Sequence, residues 1–144
     1  MKECLMTLIK NARSYMRMAE LWALNSKAKR LKVGCLIVKN SSIISDGYNG
    51  TPIGFKNECE YKHKGKLITR PEVLHAESNA ISKLAHSTQS SEGATLIITT
   101  APCFECAKLI IQAQISNVYY KDTYRSNGGI NLLKEANINI CQIQ

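Results

Sequence analysis

Cys103 and Cys106 stand three residues apart directly behind Pro102, and a His75-Ala76-Glu77 triplet lies upstream of them. No other pattern constrains the chain as much, because side chains from two separate stretches act together only if the fold brings both stretches to one place. From Glu77 to Cys103 is 26 residues, room for one helix and one strand. Hydropathy spacing predicts a helix from about His75 to Ala85, a β-branched strand over Ala94 to Thr100, and a second helix that Pro102 opens and that runs to about Gln112. Each motif therefore sits where the chain enters a helix. Helix N-termini present free N–H groups and a positive partial charge. Both features favour the thiolate, the form of cysteine that binds metal.

The remaining elements follow from the same patterning. Leu5, Leu8, Ile9, Ala12, Tyr15, Met16 and Ala19 recur at helical spacing and predict a helix over residues 4 to about 24. Val33 to Val38 and Ser42 to Asp46 form a hairpin turned by Lys39-Asn40-Ser41. Residues 47 to about 70 are polar and glycine-rich and read as one long loop, a kind of segment that is usually functional in a compact domain. Asn117 to Tyr120 is a short strand, residues 128 to 136 a helix, and Ile138 to Ile143 a last strand. Strands alternating with helices imply a layered α/β domain on a mixed sheet. At 144 residues, the whole of 1–144 suits one compact domain.

Hydrophobic residues make up 44% of the chain and charged residues 21%, which argues against disorder. No apolar run approaches the roughly 20 residues needed to span a bilayer. The start of the chain has an early acidic residue, Glu3, and no long apolar stretch, so the expected location is cytoplasmic and no membrane partner is expected. In that compartment a close cysteine pair binds metal or does redox chemistry more often than it forms a structural disulfide. The net charge is +8, and residues 25–75 carry ten Lys or Arg against four Asp or Glu. Such a region favours anionic ligands, whether a nucleotide phosphate or nucleic acid, although a basic solvated surface has the same composition.

His75, Cys103 and Cys106 make a three-ligand set. Structural zinc sites use four protein ligands, whereas catalytic ones leave a fourth position for water. Glu77, two residues past the histidine, is placed to shuttle protons without ligating the metal. Alone, Cys-x-x-Cys also suits a redox pair or half of a four-ligand site, and Glu77 alone is an ordinary solvated helix residue. Their combination matches H-x-E…P-C-x-x-C, a pattern known for zinc deaminases of nucleobases. The chain thus resembles the zinc-dependent cytidine and deoxycytidylate deaminase superfamily.

Within that superfamily, Gly47-Tyr48-Asn49-Gly50-Thr51-Pro52-Ile53-Gly54 resembles the G-Y-N-G-T-P-x-G segment of deoxycytidylate deaminases. Val33-Gly34, the His75 to Ile81 helix and Cys106 to Gln112 are similar to the same family, so the likeness covers roughly residues 25 to 125. It implies a three-layer α/β/α domain on a five-stranded mixed sheet. It also implies hydrolysis of dCMP to dUMP and ammonia, supplying dUMP for thymidylate synthesis, with Zn²⁺ activating water and Glu77 as the catalytic proton shuttle. Substrate contacts are expected from Asn49 to the sugar, from Thr51 in the same loop, from Ala76 to the base, from Arg30 to the phosphate, and from Tyr124. Arg30 is equally an exposed basic residue, Tyr124 a packing residue, and Asn49 a turn former. The family is commonly homohexameric, activated by dCTP with Mg²⁺ and inhibited by dTTP, which would place an effector near Gly54 and Asn57. Cys59 and His63, where some relatives carry an additional zinc, otherwise form an incidental loop pair, and Ala28 stands where many members carry a cysteine.

The alternatives are a nucleic-acid deaminase, such as one acting on adenosine in tRNA, and a non-catalytic nucleotide-sensing domain. Aromatic residues are only 6% and no basic-aromatic stacking stretch is evident, so nucleic acid is not the expected partner. The intact Glu77 argues against a non-catalytic domain.

Overall fold

A computed structural model describes residues 7–144. Its elements, in chain order, are α1 (Ala12–Ala23), β1 (Gly34–Lys39), β2 (Ser42–Tyr48), β3 (Glu60–His63), β4 (Lys66–Thr69), α2 (Ala76–Lys83) with a 3₁₀ turn over Leu84–His86, β5 (Thr95–Thr100), α3 (Phe104–Gln112), β6 (Asn117–Asp122), α4 (Gly128–Glu135) and β7 (Asn139–Gln142). Five strands form one sheet in the order β2-β1-β5-β6-β7. The β1 strand is antiparallel to both β2 and β5, while β5, β6 and β7 run parallel. This is the expected five-stranded mixed sheet.

Period-2 alternation sends side chains to opposite faces of each strand, and both faces are apolar. Cys35, Ile37, Leu96, Ile98 and Val118 pack with Ala76, Ala80, Ala107, Ile110 and Leu133 of the three later helices. Leu36, Val38, Ile97 and Tyr119 pack on the other side with Ala12, Tyr15, Met16 and Ala19 of α1. Three layers result, α1 below the sheet and α2, α3 and α4 above it. The central strands β1 and β5 are buried along almost their whole length, as strands covered on both faces must be.

Two expectations need correction. The helix expected from residue 4 starts at Ala12 within the described residues, and its first positions, including Leu5, lie outside them. Asn11 adopts a left-handed backbone with φ 65°, which no continuous helix accommodates. Leu8 and Ile9 still pack against the α1 core, so their apolar spacing reflects burial without helix. The polar stretch 47–70 is not all loop. It contains a separate two-stranded sheet, β3 paired with β4, with Glu60 opposite Thr69 and His63 opposite Lys66. Lys64 and Gly65, at φ 49° and 78°, make the two-residue turn. Exposed lysines on both strands hide the alternation that would have marked them.

Candidate active site

The two ligand-bearing motifs occupy equivalent local positions. His75 is the N-cap of α2 (φ −74°, ψ 159°) and Cys103 the N-cap of α3 (φ −73°, ψ 171°). Their carbonyls accept the first helical bonds, from Asn79 N at 3.0 Å and from Ala107 N at 2.9 Å. The helices lie side by side on one face of the sheet, so their N-termini open at the same end. Cys106 is one turn into α3 and shares the face of Cys103.

Close packing sets how those helices sit. A Cβ on Gly47 of β2 would fall on the carbonyl oxygen of Ala76 and 2.8 Å from Ala80 N. Only the bare glycine backbone lets α2 approach this near. Asn79 Nδ2 donates to the Tyr48 carbonyl at 2.7 Å and Ser45 Oγ to the Ala80 carbonyl at 2.6 Å, tying α2 to β2. At the second motif, a Cβ on Gly129 of α4 would meet the Pro102 carbonyl oxygen and the Cys103 carbonyl.

Cys103 Sγ lies 3.5 Å and Cys106 Sγ 3.4 Å from His75 Nδ1. Among the described residues, these three form the one group of His, Cys, Asp or Glu ligand atoms that all lie within 4.8 Å of one another. A tetrahedral zinc with Zn–S of about 2.3 Å and Zn–N of about 2.0–2.1 Å separates its nitrogen and sulfur ligands by about 3.6 Å. The donor set therefore fits zinc both by distance and by ligand type, and it supplies three ligands of the four. Within the trio, a hydrogen bond from Cys106 draws the Cys103 thiol down to about 3, with His75 adding to the effect. The same bond, then burial, holds Cys106 well up. His75 is raised, first by its hydrogen bond with Cys103.

Glu77 sits in the first turn of α2 and is 3% exposed. Burial pushes its carboxyl up to about 7, against the lowering effect of its backbone hydrogen bond and of His75. A carboxyl so placed exchanges protons near neutrality.

His75, Cys103 and the Glu77 carboxyl open into a cavity of about 410 Å³, with Cys106 buried behind them. Its lining includes His75, Ala76, Glu77 and Cys103 together with Arg30, Tyr124 and Arg125. Asn49 also lines it. The Asn49 amide is already engaged, accepting from Val33 N at 2.9 Å and donating to the Leu31 carbonyl at 2.8 Å. Thr51 is not in this lining. With Gly47, Gly50, Phe55, Asn57, Asn79 and Lys83 it lines a second cavity of about 290 Å³. Gly54 lines neither cavity. The chain turns away after Asn49, because Gly50 bridges to Leu74. Cys59 is buried and faces the first cavity, while His63 is exposed on β3, so the structure does not gather them into a ligand cluster. The sequence reading missed Arg125, Glu60 and Thr69 in the lining. Adjacency to Tyr124 was the only signal for Arg125, and none existed for the other two.

The family described as the cytidine and deoxycytidylate deaminase zinc-binding region matches residues 9–122. The deoxycytidylate deaminase of Enterobacteria phage T4 is 32% identical, over 92% of this chain and 89% of its own. The deoxycytidylate deaminase of Saccharomyces cerevisiae is 35% identical, over 89% of this chain and 43% of its own. A crystal structure of dCMP deaminase from the cyanophage S-TIM5, in complex with dCMP and dUMP, superposes with a TM-score of 0.88 at 41% identity, covering 96% of this chain and all of the other.

Proposed function

The chain belongs to the cytidine and deoxycytidylate deaminase family, and on that premise we propose that it hydrolyses dCMP to dUMP and ammonia, supplying dUMP for thymidylate synthesis. The observation that carries this reading is the buried Glu77 carboxyl, in one cavity with His75 and Cys103 of the three-donor metal site and with two guanidinium groups, Arg30 and Arg125. A carboxyl and an open metal position suit addition of water to the base, and the cations suit a phosphate.

His75, Cys103 and Cys106 would hold a zinc ion, which would supply the Lewis acidity that brings the pKa of water to about 7. Glu77 takes a proton from the attacking water as the new C–O bond forms at C4. It returns that proton to N3, then takes the proton of the new C4 hydroxyl and carries it to the amino group as the C4–N bond breaks. Ammonia leaves and the C4 carbonyl of uracil remains. The Ala76 N–H at the start of α2 borders the base. Asn49 faces the sugar, and Arg30 and Tyr124 the phosphate end, where a guanidinium offers paired donors. Ammonia release from dCMP, CMP, dCTP, deoxycytidine and an RNA hairpin tests the reading. Preference for dCMP is expected, and turnover of the RNA alone would overturn it.

The second cavity supports an effector role for the loop after Thr51. Asn57 and Lys83 give it an amide and a cation, a chemistry that suits dCTP with Mg²⁺ or dTTP. Ile53 at 99% exposure, Leu21 at 68% and Leu24 at 66% leave large apolar side chains outside the core, which supports assembly of copies into a homohexamer. No helix among the described residues is long and apolar enough to cross a membrane, which accords with a cytoplasmic site of action. Light scattering at micromolar concentration tests assembly, and a monomer would refute it. Substrate titrations with dCTP or dTTP test coupling, expected at about 5–150-fold in affinity. Unchanged hyperbolic kinetics would refute that.

A further inference from the structure

The β3–β4 hairpin touches the cavity through its open end. Glu60 Oε2 accepts two successive backbone N–H groups, from Lys29 at 2.8 Å and from Arg30 at 2.9 Å. Glu60 pairs across the ladder with Thr69. Thr69 Oγ1 in turn accepts from Arg30 Nη1 at 3.0 Å. Below that pair, the Cys59 carbonyl accepts Arg70 N at 2.8 Å and closes the hairpin base. One pair of facing hairpin residues thus holds Arg30 twice, by its main chain and by its guanidinium. Arg30, Glu60 and Thr69 all line the cavity that contains Glu77.

The division of labour matters chemically. Among the described residues, no ion pair joins the Glu60 carboxylate to the Arg30 guanidinium. Glu60 holds the backbone and leaves the side-chain charge unneutralised by direct contact. Thr69 takes one of the five guanidinium N–H donors, and the fork keeps the rest for a planar anion. A long arginine side chain loses much rotamer freedom when a ligand orders it, and an anchored root with one donor already held reduces that cost on binding.

We propose that Glu60 is a positioning residue for nucleotide recognition, with the β3–β4 hairpin serving to hold Arg30 ready for the 5′-phosphate of the substrate. This rests on the reading of the cavity as a deoxynucleotide site. The hairpin is then part of the specificity for nucleotide over nucleoside.

The test is steady-state ammonia release from dCMP and from deoxycytidine by the zinc-loaded full chain, for wild type, Arg30→Ala, Glu60→Ala, Glu60→Gln, Thr69→Val and the Arg30→Ala/Glu60→Ala double variant. Glu60→Ala raises KM for dCMP about tenfold, the scale of a lost hydrogen-bond anchor. It leaves kcat within about twofold and kcat/KM for deoxycytidine unchanged. Glu60→Gln, whose amide oxygen still accepts both N–H groups, recovers most of the loss. Thr69→Val gives a smaller rise in the same parameter and keeps the test informative if Glu60→Ala folds poorly. The double variant is no worse than Arg30→Ala, because coupled residues are not additive. Equal losses with deoxycytidine, additive effects, or a Glu60→Ala enzyme like wild type while Arg30→Ala is impaired would each overturn the role of Glu60 alone. A wild-type enzyme without preference for dCMP over deoxycytidine would overturn the nucleotide reading and Glu60 with it.

Discussion

The Asn49 side chain holds the approach to β1, its Oδ1 accepting the Val33 N–H at 2.9 Å while its Nδ2 donates to the Leu31 carbonyl at 2.8 Å. Ser26 Oγ donates to the Asn49 carbonyl at 2.7 Å and so ties the same point to the segment after α1. Replacing the amide therefore does more than remove the proposed sugar contact. Asn49→Ala leaves the part-buried Val33 N–H without its acceptor, and stability falls by about 1–3 kcal/mol. Urea denaturation measures this. A variant that loses activity at full stability would assign Asn49 to substrate alone.

Glu77→Gln keeps the shape of the buried side chain and can still hydrogen-bond, but it cannot carry a proton. Turnover falls by about 10²–10⁴-fold. Zinc content, read by metal analysis of the same preparation, stays at one per chain. Wild-type turnover in this variant would remove Glu77 from the proton path.

His75→Ala and Cys103→Ala each leave two donors, too few to retain zinc. Both variants lose metal and activity together. A chelator does the same to the wild-type protein, and added zinc restores it. Full occupancy in either variant would show that the ligand set is wrong.

Gly129→Ala probes packing behind the metal site, because its Cβ would fall on the carbonyl oxygen of Pro102 and 2.8 Å from the Cys103 carbonyl carbon. Relief requires α4 or the 102–103 backbone to move, at a cost of about 1–3 kcal/mol. A lower melting temperature and weaker zinc binding are expected together. Unaltered values of both would mean that this contact constrains neither.

The strands were legible where their neighbours are local. Residues 33–38 and 42–46 announced a hairpin because the first run is apolar, Ile43 and Ile44 lie in the second, and the turn lies between them. In the structure, Asn40 and Ser41 turn with φ 50° and 62°. The start of α1 was illegible, since Leu8 and Ile9 bury the faces that a helix would also bury. The β3–β4 hairpin was illegible because Lys62 and Lys66 interrupt the apolar half of the pattern.

The site divides along the same line. Nucleophilic and acidic side chains near helix entrances can be read from the chain itself, because capping geometry depends on a few adjacent residues. His75 and Cys103 at two N-caps, with Cys106 one turn further, are of that kind. By itself, then, the sequence determined the types of the elements outside residues 47–70, the layered α/β class and the chemistry of the two motifs. Tertiary structure alone decided that Thr51 lies in a different cavity from Asn49, two residues away, and that Arg125 joins the wall with Glu77. It alone brought the Glu60 carboxylate to the backbone of Arg30 across 30 residues. The reason is physical. A carboxylate that accepts main-chain N–H groups places no demand on which side chains those residues carry, so the partnership leaves no mark in either stretch and exists only once the chain has folded.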